Sequence, residues 1–348
     1  MKGVVSMLAV KIPCKQTVEI VNEEVPIPKK GEVLIEMKAS ALCRSDLHRY
    51  HGAELFEGSG EEAKITPGHE PCGVVAKLGE GVTRVEAGQR VAIYLGLGCK
   101  VCQHCLNGDI ILCSKFGCIG FSQNGAHADY MLIPEENCLI MPDKMSFVTG
   151  ALATDVGGTL YTACKRLGVN GSKTVVIFGC GPMGSGGILM AKAFGSEVIA
   201  VDIDGARLKM AADLGADIVI NPKTDDPVQK IKELTNGKGV DISIVCGGGN
   251  IALNNALDCV RPLGAVGLIA EDNNSTIDPS NQFIRKLVDL RGCWYFNRAD
   301  WDEIADFIVT KNIALEKISS HNFPISKAPE AFELFDSGKS QKVVFVWE

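Results

Sequence analysis

Thr174-Val-Val-Ile-Phe178 runs straight into Gly179-Cys-Gly181-Pro-Met-Gly184, and this stretch decides how the second half of the chain folds. The five apolar, β-branched-rich residues read as a buried strand, and Pro182 to Phe194 reads as the helix that follows it. Between them the spacing is Gly-x-Gly-x-x-Gly. In a strand-to-helix turn the three glycines play different parts. Gly179 makes the tight turn, Gly181 lets a pyrophosphate reach the backbone, and Gly184 packs the helix on the strand. The helix N-terminus, with Pro182 and Met183 in its first turn, then faces the anion. Outward from this point the texture repeats, with strands at Glu197–Val201, Ile218–Ile220, Asp241–Val245 and Ala265–Ile269 and a helix over Arg207–Leu214. That alternation predicts a doubly wound parallel sheet of roughly six strands. Asp202 ends the second strand about 20 residues past the glycines, where a carboxylate accepts hydrogen bonds from an adenosine ribose. It repels a 2′-phosphate, so NAD is expected over NADP. Arg207 is read equally as a helix-surface charge or a ribose contact, and Ile269 as a coenzyme contact.

The first ~150 residues differ. Short β-branched runs such as Gly31–Met37 and Cys72–Ala76, spaced by Gly and Pro, predict antiparallel strands. At 348 residues the chain is long for one core, so two domains are expected. The start, Met1 to Val10, reads as a strand with no leader pattern, and a cytoplasmic address is expected. No apolar run approaches the roughly 20 residues a membrane span needs. A net charge of −7 without a Lys/Arg block argues against a nucleic-acid partner.

Four of the fourteen cysteines, Cys99, Cys102, Cys105 and Cys113, are spaced C-x2-C-x2-C-x7-C. Four thiolates suit one tetrahedral zinc and leave no position open, so this site is expected to be structural. The polar neighbours Lys100, Gln103, His104, Asn107 and Asp109 speak against four core thiols, and His104 is read as solvated. The scattered cysteines, Cys14, Cys72, Cys118, Cys138, Cys164, Cys180, Cys246, Cys259 and Cys293, read as small core residues.

Cys43-Arg-Ser-Asp-Leu-His48 followed by Gly68-His-Glu70, together with the cysteine lobe and the nucleotide fold, resembles the medium-chain zinc alcohol dehydrogenases over essentially the whole chain. The resemblance implies a GroES-like catalytic domain over 1–154, with 297–348 returning to it, and a Rossmann domain over 155–296. It implies a catalytic zinc held by Cys43 and His69. Where the best-known members place a third ligand, a Cys, this chain has Asp155, which reads as a carboxylate ligand or as a helix N-cap. Glu70 binds zinc directly in some members and lies behind it in others. Asp46 is expected to orient His69. Ser45 and His48 are expected to relay the substrate proton, while His51 is read as exposed. Arg44 and Lys342 are implied as coenzyme-phosphate contacts, with a solvated strand-end charge as the alternative for Lys342, and Thr159 as a nicotinamide contact. The implied reaction is hydride transfer between NAD and an alcohol/carbonyl pair, the substrate a secondary alcohol, a polyol or a sugar derivative. A homotetramer or homodimer is expected. The alternative is a zinc-free quinone reductase or non-catalytic nucleotide binder on the same scaffold. Glu54–Phe56 and Trp294–Asn297 are expected to border the substrate pocket.

Overall fold

The computed structural model describes residues 6–53, 64–272 and 274–348. The Glu54–Phe56 segment therefore lies outside the described residues. The chain divides into two units, one of Met1–Asp155, Asn297–Thr310 and Glu316–Glu348, the other of Val156–Phe296 and Lys311–Leu315. Against the expected boundaries, Asp155 falls in the first unit and Lys311–Leu315 in the second.

In chain order the strands of the first unit are β1 (Ser6–Cys14), β2 (Thr17–Glu24), β3 (Glu32–Ala41), β4 (Glu70–Leu78), β5 (Arg90–Ile93), β6 (Gly96–Leu97), β7 (Gly117–Cys118), β8 (Tyr130–Pro134) and β9 (Cys138–Ile140). The second unit supplies β10 (Thr174–Phe178), β11 (Glu197–Val201), β12 (Ile218–Ile220), β13 (Val240–Val245), β14 (Val260–Leu268) and β15 (Asp289–Gly292). The chain then adds β16 (Ser319–Phe323) and β17 (Lys342–Val346) to the first unit.

β3 organises the first unit. Its apolar run buries Val33, Leu34, Ile35 and Met37, and it pairs antiparallel with β4, β8 and β17 in a sheet of order β16-β17-β3-β4-β5-β9 with β8 beside β3. The C-terminal strand β17 thus lies against β3, with Val344 opposite Ala41. This brings the chain's end to the residues just before Cys43.

The second unit is a parallel sheet of order β12-β11-β10-β13-β14-β15. Counted from β10 this is 3-2-1-4-5-6, the order of a dinucleotide-binding sheet, with its switch point between β10 and β13. The sixth strand, β15, escaped sequence reading. All four of its residues are exposed, so neither an apolar run nor an alternation marks them. β14 begins at Val260, earlier than the expected Ala265. No helix among the described residues is long and apolar enough to cross a membrane.

Candidate functional sites

The fingerprint loop has the geometry its three glycines require. Gly179 holds φ +88°, and a Cβ there would meet the backbone N of Gly247 at 2.9 Å. A Cβ on Gly184 would lie 1.8 Å from the carbonyl O of Gly179, so only hydrogen permits that helix–strand approach. A Cβ on Gly181, by contrast, would meet nothing within 4 Å among the described residues. Gly181 is the N-cap of the Pro182–Ala193 helix and has no capping side chain, leaving its first N–H groups facing open space. Asp202, 7 % exposed, accepts from the Cys180 N–H through Oδ2 at 2.7 Å and from the Asp204 N–H through Oδ1 at 2.8 Å. Asp204 itself caps the Gly205–Asp213 helix by accepting from Ala206 and Arg207 N–H groups, and Arg207 is half-buried. Ile269 follows the carboxyl end of β14, its N–H bonded to Val245 O. Thr159 is buried, and its Oγ1 has no hydrogen-bond partner among the described residues.

In the lobe, Cys99, Cys102, Cys105 and Cys113 offer four sulfurs within 4.8 Å of one another. Cys99 Sγ is 4.0 Å from Cys105 Sγ, and Cys102 Sγ is 3.8 Å from Cys113 Sγ. Sulfurs bound at 2.3 Å to a tetrahedral ion lie about 3.8 Å apart, so the set fits zinc. Backbone N–H groups point at the sulfurs: Cys102 N–H donates to Cys99 Sγ, and Cys99 and Lys115 N–H groups donate to Cys113 Sγ. Backbone donors hold the Cys99 thiol down to about 6, which favours the thiolate a metal needs. His104 is exposed.

A second donor set lies in the first unit. Cys43, His69, Glu70 and Asp155 bring one donor atom each within 4.8 Å of the others, with Cys43 Sγ 3.5 Å from Asp155 Oδ2. Cys43 precedes the Arg44–Tyr50 helix, whose Asp46 folds back to accept from the Cys43 N–H at 2.9 Å through Oδ2. Its other oxygen lies 3.3 Å from His69 Nδ1, which turns Nε2 toward the donor set, 3.2 Å from Ser45 Oγ. Burial alone would raise the Asp46 carboxyl, but His69 outweighs it and holds the group at about 2. Burial would lower His69, and Asp46 and Cys43 reverse that, raising it well above its usual range.

Asp155 is not a helix N-cap. It sits inside a π-helical turn, Ala153–Gly157, between the Phe147–Leu152 and Gly158–Leu167 helices, and Gly157 caps the latter. Such turns insert an extra residue and re-aim side chains. Lys342 also departs from expectation. It is 1 % exposed, too deep for a coenzyme phosphate or a solvated charge, and its ammonium donates to Glu70 Oε1 and to Leu42 O and lies 3.8 Å from Asp155 Oδ2. Burial opposes its charge, yet Cys43, Glu70 and Asp155 together raise its pKa. Burial raises Glu70 as well, with Asp155 and Cys43 adding to it against the pull of Lys342. One ammonium thus serves three acids, and the charge deficit is what a divalent cation would fill.

His48 and Arg44 are exposed on their helix. His51 is not simply exposed: its Nε2 lies 2.7 Å from Asp336 Oδ1. Of Trp294–Asn297, Trp294 is exposed while Tyr295 and Phe296 are buried. Among the scattered cysteines Cys14 is exposed, at the end of β1, instead of in the core. Sequence reading missed Phe121, whose ring lies 5.2 Å from that of His69, and the buried pair Ser40 and His127. The one signal for His127 was a histidine within the Ala126–Ala128 run.

Two family models match, the alcohol dehydrogenase GroES-like domain over residues 29–143 and the zinc-binding dehydrogenase over 182–310. An uncharacterised zinc-type alcohol dehydrogenase-like protein of Escherichia coli is 31 % identical over 97 % of this chain and 98 % of its own. The chain belongs to the medium-chain zinc alcohol/polyol dehydrogenase family. An L-threonine 3-dehydrogenase of Pyrococcus horikoshii is 32 % identical to this dehydrogenase-family chain, over 94 % of each. The structure of a 2R,3R-butanediol dehydrogenase from Bacillus subtilis superposes with a TM-score of 0.89 at 27 % identity, covering 99 % of this chain and 100 % of that one. As a zinc-type alcohol dehydrogenase, the protein is an oxidoreductase acting on CH–OH donors.

Proposed function

We propose that the protein interconverts a secondary alcohol or polyol and its ketone with NAD as hydride carrier, at a centre held by Cys43, His69 and Asp155. The observation that carries this is the buried set of Cys43, His69, Glu70 and Asp155, with Lys342 as its compensating cation. A zinc ion held there would supply Lewis-acid polarisation of the substrate oxygen. Lys342 engages Glu70 Oε1, so Cys43, His69 and Asp155 would be the three donors to such an ion. Asp46 keeps His69 in the tautomer that presents Nε2. Ser45 Oγ would take the hydroxyl proton while giving its own, by way of the nicotinamide ribose, toward His48 on the exposed side of the same helix. The open N-terminus at Gly181 receives the pyrophosphate, Asp202 the ribose hydroxyls, and Thr159 Oγ1 finds its missing partner on the coenzyme.

Two of the named relatives are an L-threonine 3-dehydrogenase and a 2R,3R-butanediol dehydrogenase, which supports a secondary hydroxyl. The fourteen cysteines, none of them in a disulfide, and the four-cysteine lobe support a reducing, cytoplasmic setting. The exposed edge strand β15, paired on one side only among the described residues and accompanied by exposed Leu263 and Leu287, supports a homo-oligomer. The test is NADH formation at neutral pH with a panel of secondary alcohols and polyols, beside zinc analysis of wild type and Cys43→Ala. Two zinc ions in wild type, one in the variant, and lost turnover with retained NAD binding are expected. Full turnover by zinc-checked Cys43→Ala would remove Cys43 from the centre.

A further inference from the structure

His127 is fully buried in the first unit, its ring edge-on to Phe345 at 4.8 Å and to Phe332 at 6.1 Å. Burial pushes it down to about 4, so the imidazole is neutral, a donor at one nitrogen and an acceptor at the other. Nδ1 lies 2.9 Å from Ser40 Oγ, while Nε2 has no partner among the described residues. A leucine or phenylalanine would fill that space without the cost of an unpaired nitrogen. Something other than packing therefore accounts for the histidine.

Its surroundings supply the reason. Backbone bonds run from Gly125 N to Thr66 O, from Ala126 N to Gly68 O and from His127 N to Pro67 O, zipping 125–127 onto the residues just ahead of His69. Gly68 holds φ +101°, and a Cβ on it would fall 2.5 Å from His127 Nδ1, so the ring packs closely against the glycine that leads into His69. Ser40 stands on the other side, on β3, paired with Pro71 while Ala41 pairs with Glu70. The Ser40–His127 hydrogen bond closes a bracket around Gly68-His69-Glu70.

We propose that His127, tethered by Ser40, is a positioning residue that holds the His69–Glu70 peptide in the geometry the metal centre requires. The inference rests on the metal role given above to Cys43, His69 and Asp155. Removing the tether frees the ring to turn and the peptide to shift, at a site where ligands must be held within about 0.5 Å.

The test compares wild type, His127→Phe, Ser40→Ala and the double variant, purified as holoenzyme. Zinc affinity is read by chelator competition, the cobalt-substituted centre by its visible spectrum, and stability by melting. In His127→Phe, melting is expected to change little, because the cost of the unpaired ring nitrogen is exchanged for that of the orphaned Ser40 hydroxyl, while zinc affinity at the catalytic centre falls about tenfold, one hydrogen bond's worth. The cobalt bands should shift, and the double variant should lose no more than either single one. Should His127→Phe not fold, Ser40→Ala removes the same tether by deleting one oxygen. Wild-type zinc affinity and cobalt bands in Ser40→Ala, with two zinc ions bound throughout, would reduce His127 to packing and overturn this inference alone. A wild type that holds one zinc, in the lobe, would overturn the metal reading and this inference with it.

Discussion

Asp202 has two duties that pull on one carboxylate. Each oxygen already accepts one backbone N–H, from Cys180 and Asp204, and each retains a lone pair for a ribose hydroxyl. The same group that would recognise NAD therefore also holds the fingerprint loop to β11. Replacement by Gly would release the loop, whereas Asp202→Ser keeps one acceptor near Cys180 and isolates the effect on coenzyme. In Asp202→Ser, kcat/KM with NAD should fall about tenfold to a hundredfold, because a hydrogen bond to a charged group contributes roughly 1.5–3 kcal/mol. With NADP it should rise less, since Asp204 is committed to its helix and Arg207 alone can meet the phosphate. Steady-state kinetics with both coenzymes check this, and an unmoved NAD/NADP ratio would place Asp202 away from the ribose.

At the scale of elements, the cysteine lobe and the π-turn solve different problems. The lobe has little apolar core: Val101, Leu106 and Leu112 are exposed, and the Gln103–Leu106 helix buries nothing. A loop of that kind would hold its shape through the zinc proposed for it. Cys99→Ser should therefore lower the melting temperature or scramble the lobe before it touches chemistry. Differential scanning calorimetry beside kcat decides; a normal melt with reduced kcat would make this site catalytic. The π-turn at Ala153–Gly157 does the opposite, bending a well-packed helix so that Asp155 reaches Cys43.

For the whole molecule, acid should act through the first unit's core. His127 has a pKa of about 4 when folded and about 6.5 when unfolded. As pH falls from 6.5 to 4 the unfolded chain takes a proton that the folded chain refuses, so stability is full above 6.5 and drains across that window. The fall approaches about 3 kcal/mol, or 2.5 pH units at 1.36 kcal/mol each. Below pH 4 the loss passes to Asp46, held at about 2 by His69. Urea melts at pH 7, 6 and 5 should show the decline in wild type and its flattening in His127→Phe; equal slopes would mean the ring is solvated. What the sequence determined by itself is what depends on near neighbours in the chain. The glycine spacing, the run of parallel strands and the C-x2-C-x2-C lobe are local, because a turn, a helix start or a zinc knuckle is built from residues a few positions apart. The tertiary structure alone decided that Lys342 lies on Glu70, some 272 positions away, that Ser40 meets His127, and that β15 completes the sheet. Such partners are chosen by β17 docking on β3 and by burial, which forces a charge or a ring nitrogen to find whatever group the fold brings near, and no local pattern encodes that choice.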